Sequence, residues 1–197
     1  VPLELLSGRL LYRDIFYLYG PFSPYCNAGF MRLFGGGVGA LVLSGTLATA
    51  AMAWLCFRVS RFFLGPWASS LCAATYLFVL AFAHYESLGI FTHILPYAYP
   101  SVHGTALSLA SVYCAMRWVR DRKRAALVLC AAFAFLALLA RVDMGLMALA
   151  GAAVGLAAAR RVREDVPAAA PSIAAWTLVP AAAAALVYAG FWWMGRC

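Results

Sequence analysis

Residues 124–163 read RAALVLCAAFAFLALLARVDMGLMALAGAAVGLAAARRVR, an apolar stretch that is interrupted once, at Arg141 and Asp143. A single helix from Ala125 to Ala159 would be about 52 Å long at about 1.5 Å per residue, which exceeds a hydrocarbon core of roughly 30 Å. Both flanks are strongly basic, and a single span would place them on opposite sides of a membrane. We therefore predict a hairpin of two helices with Arg141 and Asp143 at its tip.

The composition of the whole chain indicates a membrane protein. Of its 197 residues, 65% are hydrophobic and 11% are charged, whereas soluble domains carry about 25% charged residues. The formal net charge of +8 is spread over several short loops, which is typical of cytoplasmic loops and argues against nucleic-acid binding. The chain has 6 cysteines but no Cys-x-x-Cys pair, so the sequence indicates neither a disulfide framework nor a zinc site.

The apolar runs predict an all-α polytopic membrane protein with about six transmembrane helices in a single domain over residues 1–197. By the positive-inside rule, the arginine-rich loops between spans lie in the cytoplasm. The loop 84–102 contains no Lys or Arg and is placed outside, as are the hairpin tip and residues 1–35. The predicted spans are Gly37–Phe57, Gly65–Ala83, His103–Trp118, Ala125–Ala140, Met144–Ala159 and Ser172–Met194.

Residues 1–35 are predicted to form an outer loop ahead of a helical bundle that comprises residues 36–197. This loop mixes aromatic residues with arginines, a combination that prefers the head-group zone of a membrane. Phe22–Phe34 is predicted to be a helix lying in that interface. Because the chain starts at Val1 rather than Met and ends just after an apolar run, we expect it to be a fragment of a longer protein.

A second outer loop carries Glu86 and contains or adjoins all three histidines of the chain. The two prolines, two glycines and three tyrosines between His84 and Gly104 predict an irregular backbone that suits a polar ligand such as a sugar. An interfacial loop with an aromatic belt is the simpler explanation of the same composition. Glu86, His93 and His103 are candidate metal ligands, but they lack the spacing of a metal-binding motif.

The acidic residues Asp14, Glu86 and Asp143 are placed on the outer side by this topology. A carboxylate at a membrane surface costs free energy unless it is solvated, paired or functional. We expect Asp143 to pair with Arg141, and we take Asp14 and Glu86 as candidate catalytic residues.

The run from Gly8 to Pro21 has the form G-x-x-x-Y-R-D-x-x-x-x-x-G-P. It resembles the first outer loop of the GT-C glycosyltransferases, in the bacterial family 39-like branch related to protein O-mannosyltransferases and the lipid A aminoarabinose transferase. Pro96–Gly104 and the turn Arg141–Gly145 are similar to further regions of that branch. The resemblance covers nearly the whole chain with moderately specific motifs. It implies a GT-C-type helical bundle and a polyprenyl-phosphate sugar donor used at the outer face.

The resemblance also implies an inverting reaction in which a carboxylate of the first outer loop deprotonates the acceptor hydroxyl while the lipid phosphate leaves. In this family an acidic pair usually precedes the Gly-x-x-x-Tyr motif, and only Glu4 stands there, so we expect the usual base to precede Val1. Asp14 and Glu86 are then the leading catalytic residues present. The residues expected to contact donor phosphate or sugar are Arg9, Arg13, Tyr97, His103 and Arg141. Snorkelling of the arginines to the interface is the competing explanation.

We therefore expect a glycosyltransferase that moves a hexosyl or pentosyl group to a lipid, glycan or protein acceptor. It would lie among the lipids of a bacterial inner or plasma membrane with its site facing the periplasm or exterior, and no cofactor or nucleic-acid partner is expected. A divalent metal is not indicated. The alternatives are a transporter or lipid-linked sugar flippase, which would carry midplane ionisable groups and repeated broken helices, and a membrane scaffold without a site.

Overall fold

The computed structural model describes residues 1–81, 98–162 and 173–194. All regular secondary structure in these ranges is helical, which confirms the all-α prediction. The helices are α1 (Pro2–Leu6), α2 (Phe22–Phe34), α3 (Val38–Ser60), α4 (Pro66–Thr75) with a π-helical continuation (Tyr76–Ala81), α5 (Tyr99–Asp121), α6 (Arg124–Ala140), α7 (Val142–Val162) and α8 (Ile173–Met194).

The helices α6 and α7 form the predicted hairpin at the centre of the bundle. Helix α6 ends at Ala140, Arg141 adopts an extended backbone with φ −161° and ψ 122°, and α7 begins at Val142. The two helices pack against each other, and both pack against α5. The prediction of two helices rather than one is therefore confirmed.

Serine hydroxyls on α5 join it to both arms of the hairpin. Ser111 is buried and donates to the carbonyl of Cys130 on α6 at 2.9 Å. Ser108 donates to the carbonyl of Met144 on α7 at 2.8 Å. Because a buried polar group without a partner costs about 1–3 kcal/mol, these bonds allow hydroxyls to lie between apolar helices, where small side chains permit close approach.

The tip of the hairpin depends on Gly145. A Cβ atom at this position would lie 2.5 Å from the backbone nitrogen of Leu138, far inside contact distance. The Gly145 amide donates to the carbonyl of Arg141 at 3.0 Å and so belongs to the first turn of α7. The missing side chain therefore lets the first turn of α7 lie against the last turns of α6.

The interfacial helix predicted at Phe22–Phe34 has the same bounds in the structure. It follows Pro21 and ends at Gly35, whose φ of 94° lies in the region that glycine adopts without steric cost. One face packs on α3 and α5, whereas Leu33 and Phe34 are exposed. This division into a packed face and an exposed apolar end suits a position at a membrane interface.

Among the described residues, two helices are long and apolar enough to cross a membrane, Val38–Ser60 and Trp176–Met194. Three further helices, Pro66–Ala81, Arg124–Ala140 and Val142–Ala157, are apolar but shorter. The six predicted spans overlap these five helices and α5, which is not among the helices that are apolar enough to cross a membrane. A membrane crossing by all six of them stays a prediction.

The start of α5 differs from the sequence prediction. An irregular backbone is predicted up to Gly104, but the helix begins at Tyr99. Pro100 explains the difference, since proline is tolerated in the first helical turn, where its missing N–H has no intrahelical partner. His103 therefore lies within a helix rather than at the end of a loop.

The change Gly145→Ala is expected to destabilise the protein by about 1–3 kcal/mol, because the added methyl group would be forced against the Leu138 backbone. Thermal unfolding of the purified protein in detergent measures this effect. Gly155→Ala on the same helix is the matched control, since nothing lies within 4 Å of a Cβ added there. The control should be neutral or slightly stabilising because alanine favours a helix over glycine. Equal destabilisation by both changes would contradict the close contact.

Candidate functional site

A cavity of about 380 Å³ opens where the first outer loop, the break between α6 and α7, and the C-terminal half of α8 meet. Pockets that hold small ligands measure about 300–1,000 Å³, so this cavity is large enough for one. Its wall consists of Tyr12, Leu18, Tyr19, Gly20, Arg141, Val142, Asp143 and Tyr188.

The first outer loop is held in shape by its own backbone and by two buried side chains, Leu11 and Ile15. The amide of Tyr12 donates to the Ile15 carbonyl at 3.0 Å. Tyr12 has a φ of 67°, a left-handed conformation that is uncommon for residues with a side chain. Its hydroxyl donates to the carbonyl of Tyr19. Burial raises the pKa of Tyr12, so the hydroxyl stays protonated and keeps this bond.

Gly20 brings the loop into contact with the end of α6. Its amide donates to the Ala140 carbonyl at 3.3 Å, and a Cβ atom at Gly20 would collide with the carbonyl oxygen of Leu139. Tyr188 of α8 donates from its hydroxyl to the Leu138 carbonyl at 2.9 Å. Because the last carbonyls of an α-helix lack intrahelical partners, the loop and α8 supply donors that the end of α6 requires.

Arg141 connects the segments that meet at the cavity. Its Nε donates to both carboxylate oxygens of Asp143, at 2.8 and 3.0 Å, and its Nη1 donates to Oγ of Ser101 at 2.6 Å. The guanidinium carbon lies 5.6 Å from the centre of the Tyr19 ring, within the range of a cation–π interaction. These contacts fix the orientation of the Arg141 side chain. The side chain is still about one-third exposed and forms part of the cavity wall.

This arrangement suits the recognition of a phosphate group. A guanidinium presents several N–H donors in one plane and binds phosphate oxygens in a bidentate manner. Asp143 offsets part of the charge of Arg141 and, together with Ser101, selects its side-chain conformation. The expected pair between Arg141 and Asp143 is present in the structure.

Asp14 forms a pair with its neighbour Arg13. Nε and Nη2 of Arg13 donate to Oδ1 and Oδ2 of Asp14 at 3.0 and 3.2 Å, and the amide of Leu10 donates to Oδ2 at 2.8 Å. These bonds, the Arg13 side chain first, hold the pKa of Asp14 below its ordinary value. A carboxylate with a lowered pKa is a weaker proton acceptor, so the geometry favours a supporting role for Asp14 in the loop.

Among the residues that the structure describes, the predicted site residues other than Arg141 do not line this cavity. Arg9 pairs with Glu4 at 3.2 Å on the exposed side of the loop, and of the charged residues in this loop none lines the described cavity. Glu86 and Tyr97 lie outside the described residues. Arg141 is therefore the predicted donor-binding residue that the structure places in the cavity wall.

His103 lies beneath α2 and is 7% exposed. Its Nδ1 is 3.0 Å from Oγ of Ser23, and its Nε2 is 3.4 Å from Oγ of Ser44. Ser44 in turn donates to Oδ1 of Asn27 at 2.8 Å. The four side chains form a buried polar network that joins α2 and α3 to α5. A contact of His103 with the donor stays a prediction, since the described cavity does not include this residue.

No group of three or more His, Cys, Asp or Glu side chains within the described ranges is arranged to hold a metal ion. Of the three candidate ligands named from the sequence, Glu86 and His93 fall outside those ranges.

Several residues that line the cavity or hold Arg141 were not among the predicted site residues: Tyr12, Tyr19, Ser101 and Tyr188. Ser101 follows Pro100 in the first turn of α5, where an irregular loop was expected. Tyr188 stands in an alanine-rich helix assigned as a span. Its hydroxyl group could have indicated a polar contact within this apolar helix, because the hydroxyl of a buried tyrosine usually has a hydrogen-bond partner.

The change Arg13→Gln is expected to raise the pKa of Asp14 towards its ordinary value, because the largest stabilisation of the ionised form is removed. The bond from the Leu10 amide to the Asp14 carboxylate stabilises the loop at pH values above the ordinary carboxyl pKa. This stabilisation is lost as the pH falls through the lowered pKa of Asp14 in the folded protein. An NMR titration of the Asp14 carboxyl carbon, assigned with Asp14→Asn, measures both. Arg32→Gln, an exposed change on α2, should leave the titration unaltered. An unaltered titration in Arg13→Gln would contradict the ion pair.

Comparison with known proteins identifies the family. The sequence model of the family described as dolichyl-phosphate-mannose-protein mannosyltransferase matches residues 19–188, a range that includes Tyr19, Arg141 and Tyr188 of the cavity. No curated protein and no solved structure matches the chain. Since the family match spans most of the sequence, the chain belongs to the dolichyl-phosphate-mannose-protein mannosyltransferase family and is a membrane glycosyltransferase of the GT-C type.

Proposed function

We propose that this chain transfers a sugar from a polyprenyl-phosphate carrier to an acceptor hydroxyl, and that the 380 Å³ cavity receives the phosphate and sugar of the donor. The observation that carries this proposal is a second cavity, of about 570 Å³, that adjoins the first. Tyr12 and Tyr188 belong to the walls of both. The second cavity is lined by Tyr12, Tyr188, Ala189, Phe191 and Trp192.

The two cavities differ in chemistry. The first has the guanidinium of Arg141 and the carboxylate of Asp143 in its wall, whereas aromatic rings and Ala189 form the second. An amphiphile with a charged head and a hydrocarbon chain suits this pair, because its head can lie beside Arg141 while its chain packs against the aromatic rings. A soluble nucleotide sugar would leave the apolar cavity unused.

In the proposed reaction the oxygen of the acceptor hydroxyl attacks the anomeric carbon of the sugar. The bond from this carbon to the phosphate oxygen breaks, and polyprenyl phosphate leaves with the bonding electrons. Arg141 stabilises the negative charge that develops on the leaving phosphate. Its bonds to Asp143 and Ser101 orient it before the donor arrives, so little reorganisation accompanies the reaction.

The acceptor proton requires a base, and Asp14 and Glu86 are the candidates. We assign Asp14 to support of the loop, because its pair with Arg13 lowers its pKa and weakens it as a base. Glu86 is then the proposed proton acceptor among the residues of this chain. Neither the resemblance nor the proposed reaction calls for a cofactor.

The transfer is proposed to take place on the non-cytoplasmic face. The cavity lies beside the end of α6 at Ala140, and the basic stretch Arg120–Arg124 lies at the other end of that helix. Basic loops face the cytoplasm by the positive-inside rule. In a bacterial inner membrane this orientation would direct the site towards the periplasm, where a lipid, glycan or protein would present the acceptor hydroxyl.

The change Arg141→Gln is expected to lower kcat by about 10²–10³-fold, the loss typical of removing one donor to a developing oxyanion. Transfer of radiolabelled sugar from polyprenyl phosphate in membranes, at equal expression, measures it. Arg120→Gln is the control, because its side chain is 71% exposed at the far end of the bundle. Full activity of Arg141→Gln at an unchanged thermal midpoint would contradict the proposed role.

The change Phe191→Ala is expected to raise KM for a long-chain donor by about tenfold, since the loss of roughly ten carbon contacts at about 0.1–0.2 kcal/mol each weakens packing against the chain. A donor analogue with a single isoprene unit should be affected less. Leu186→Ala is the matched control, because this side chain is 73% exposed on the same helix. An equal rise in KM for both donors would contradict a lipid-binding role of the apolar cavity.

Transport or flipping of a lipid-linked sugar is the alternative, and membership of a glycosyltransferase family argues against it. Proteoliposomes that contain the protein, a labelled lipid-linked sugar and membrane-derived acceptors separate the two. Sugar that moves across the bilayer without becoming attached to any acceptor would overturn the proposed transfer.

A further inference from the structure

A second charged site lies at the opposite end of the bundle, around Arg122. Arg122 follows α5 and has a φ of 56°, a left-handed conformation in which residues with a side chain are strained. Its guanidinium carbon lies 4.9 Å from the centre of the Trp118 ring. Both Nη1 and Nη2 are buried without a hydrogen-bond partner in the described part of the chain.

Another buried donor without a partner belongs to the same region. Nε1 of Trp176, in the first turn of α8, has no acceptor among the described residues. The ring of Trp176 packs against the cluster formed by Trp118, Leu127 and Leu156. Arg122, which lies over the Trp118 ring, and Trp176, which packs against the cluster that contains Trp118, therefore belong to one region of the bundle.

Guanidinium nitrogens that are buried without an acceptor are unfavourable, because charge removed from water must be paired or hydrogen-bonded. The nearest acidic residue in the sequence, Asp121, is already engaged by Arg117 at 2.7 Å and by Arg120 at 3.6 Å. Lys123, which follows Arg122, is exposed and adds further positive charge. The missing acceptor is therefore expected to be an anion.

We propose that Arg122 and Trp176 bind a phosphate group, at a site separate from the sugar-transfer cavity. The 17 residues of α6, about 25 Å of helix, separate Arg122 from Arg141. Two Nη atoms and one indole nitrogen provide three donor atoms for phosphate oxygens. The phosphate belongs either to the head group of an anionic phospholipid, which basic loops attract at the cytoplasmic surface, or to a free phosphate ion.

The test uses the purified protein in zwitterionic nanodiscs, titrated with short-chain phosphatidic acid or with inorganic phosphate and followed by tryptophan fluorescence. Arg122→Gln should weaken binding about tenfold or more, because charge-assisted hydrogen bonds are lost. Lys123→Gln removes the same charge from the adjacent exposed position and should weaken binding much less. Trp176→Phe keeps the ring but removes the donor, and should give an intermediate loss.

The titrations distinguish the two sources of phosphate. Tighter binding of phosphatidic acid than of inorganic phosphate assigns the site to a lipid, and comparable binding assigns it to the free ion. Either result supports the site if Arg122→Gln weakens binding much more than Lys123→Gln does. Equal losses in Arg122→Gln and Lys123→Gln, or no saturable binding of either probe, would overturn it.

A stability measurement tests the alternative that a carboxylate of this chain, rather than an external anion, is the partner of Arg122. If an external anion is the partner, Arg122→Gln should leave the thermal midpoint in anion-free buffer unchanged or raised, since an unpaired buried charge is removed. The double change Glu164→Gln/Asp165→Asn should leave anion binding intact. A lowered midpoint of similar size in both variants, without additivity when they are combined, would overturn the phosphate site.

Discussion

The break in the apolar stretch at Arg141 is the feature on which the rest of the structure depends. A helix that stops inside a bundle leaves carbonyl groups without donors, and in an apolar surrounding such groups are costly. The amide of Gly20 and the hydroxyl of Tyr188 supply donors to Ala140 and Leu138. Satisfying the end of α6 thus brings the outer loop and α8 together, and the cavity forms between them.

The same break determines the chemistry that is available. Arg141 is the first residue after α6, so its side chain emerges where the three segments converge, and Asp143, Ser101 and Tyr19 hold it from three directions. A charged group fixed in this way before a ligand binds is preorganised, which is the property that electrostatic catalysis requires. His103 contributes more indirectly, because its buried network with Ser23 and Ser44 fixes α2, and α2 directly follows the part of the outer loop that lines the cavity.

The features that could be predicted from sequence were those written in local patterns. Periodicity and charge can be read from a single sequence. They were sufficient to predict the interruption at Arg141, the basic flanks and the extent of Phe22–Phe34. Gly20 and Leu139 are more than one hundred positions apart in the sequence, and Tyr188 and Leu138 are about fifty apart. Periodicity does not predict contacts between residues so far apart. The start of α5 was misplaced because proline marks both loops and first helical turns.

The two tyrosines shared by the neighbouring cavities have a consequence for turnover. Both hydroxyls are bonded to backbone carbonyls, so the rings of Tyr12 and Tyr188 form a fixed partition between the polar and the apolar space. Under the proposed reaction the spent carrier keeps its hydrocarbon chain and its phosphate and lacks only the sugar. Substrate and product then occupy almost the same contacts and compete for them. Departure of the carrier, rather than bond making, would limit the rate, and the enzyme would work fastest where the surrounding membrane removes the carrier quickly.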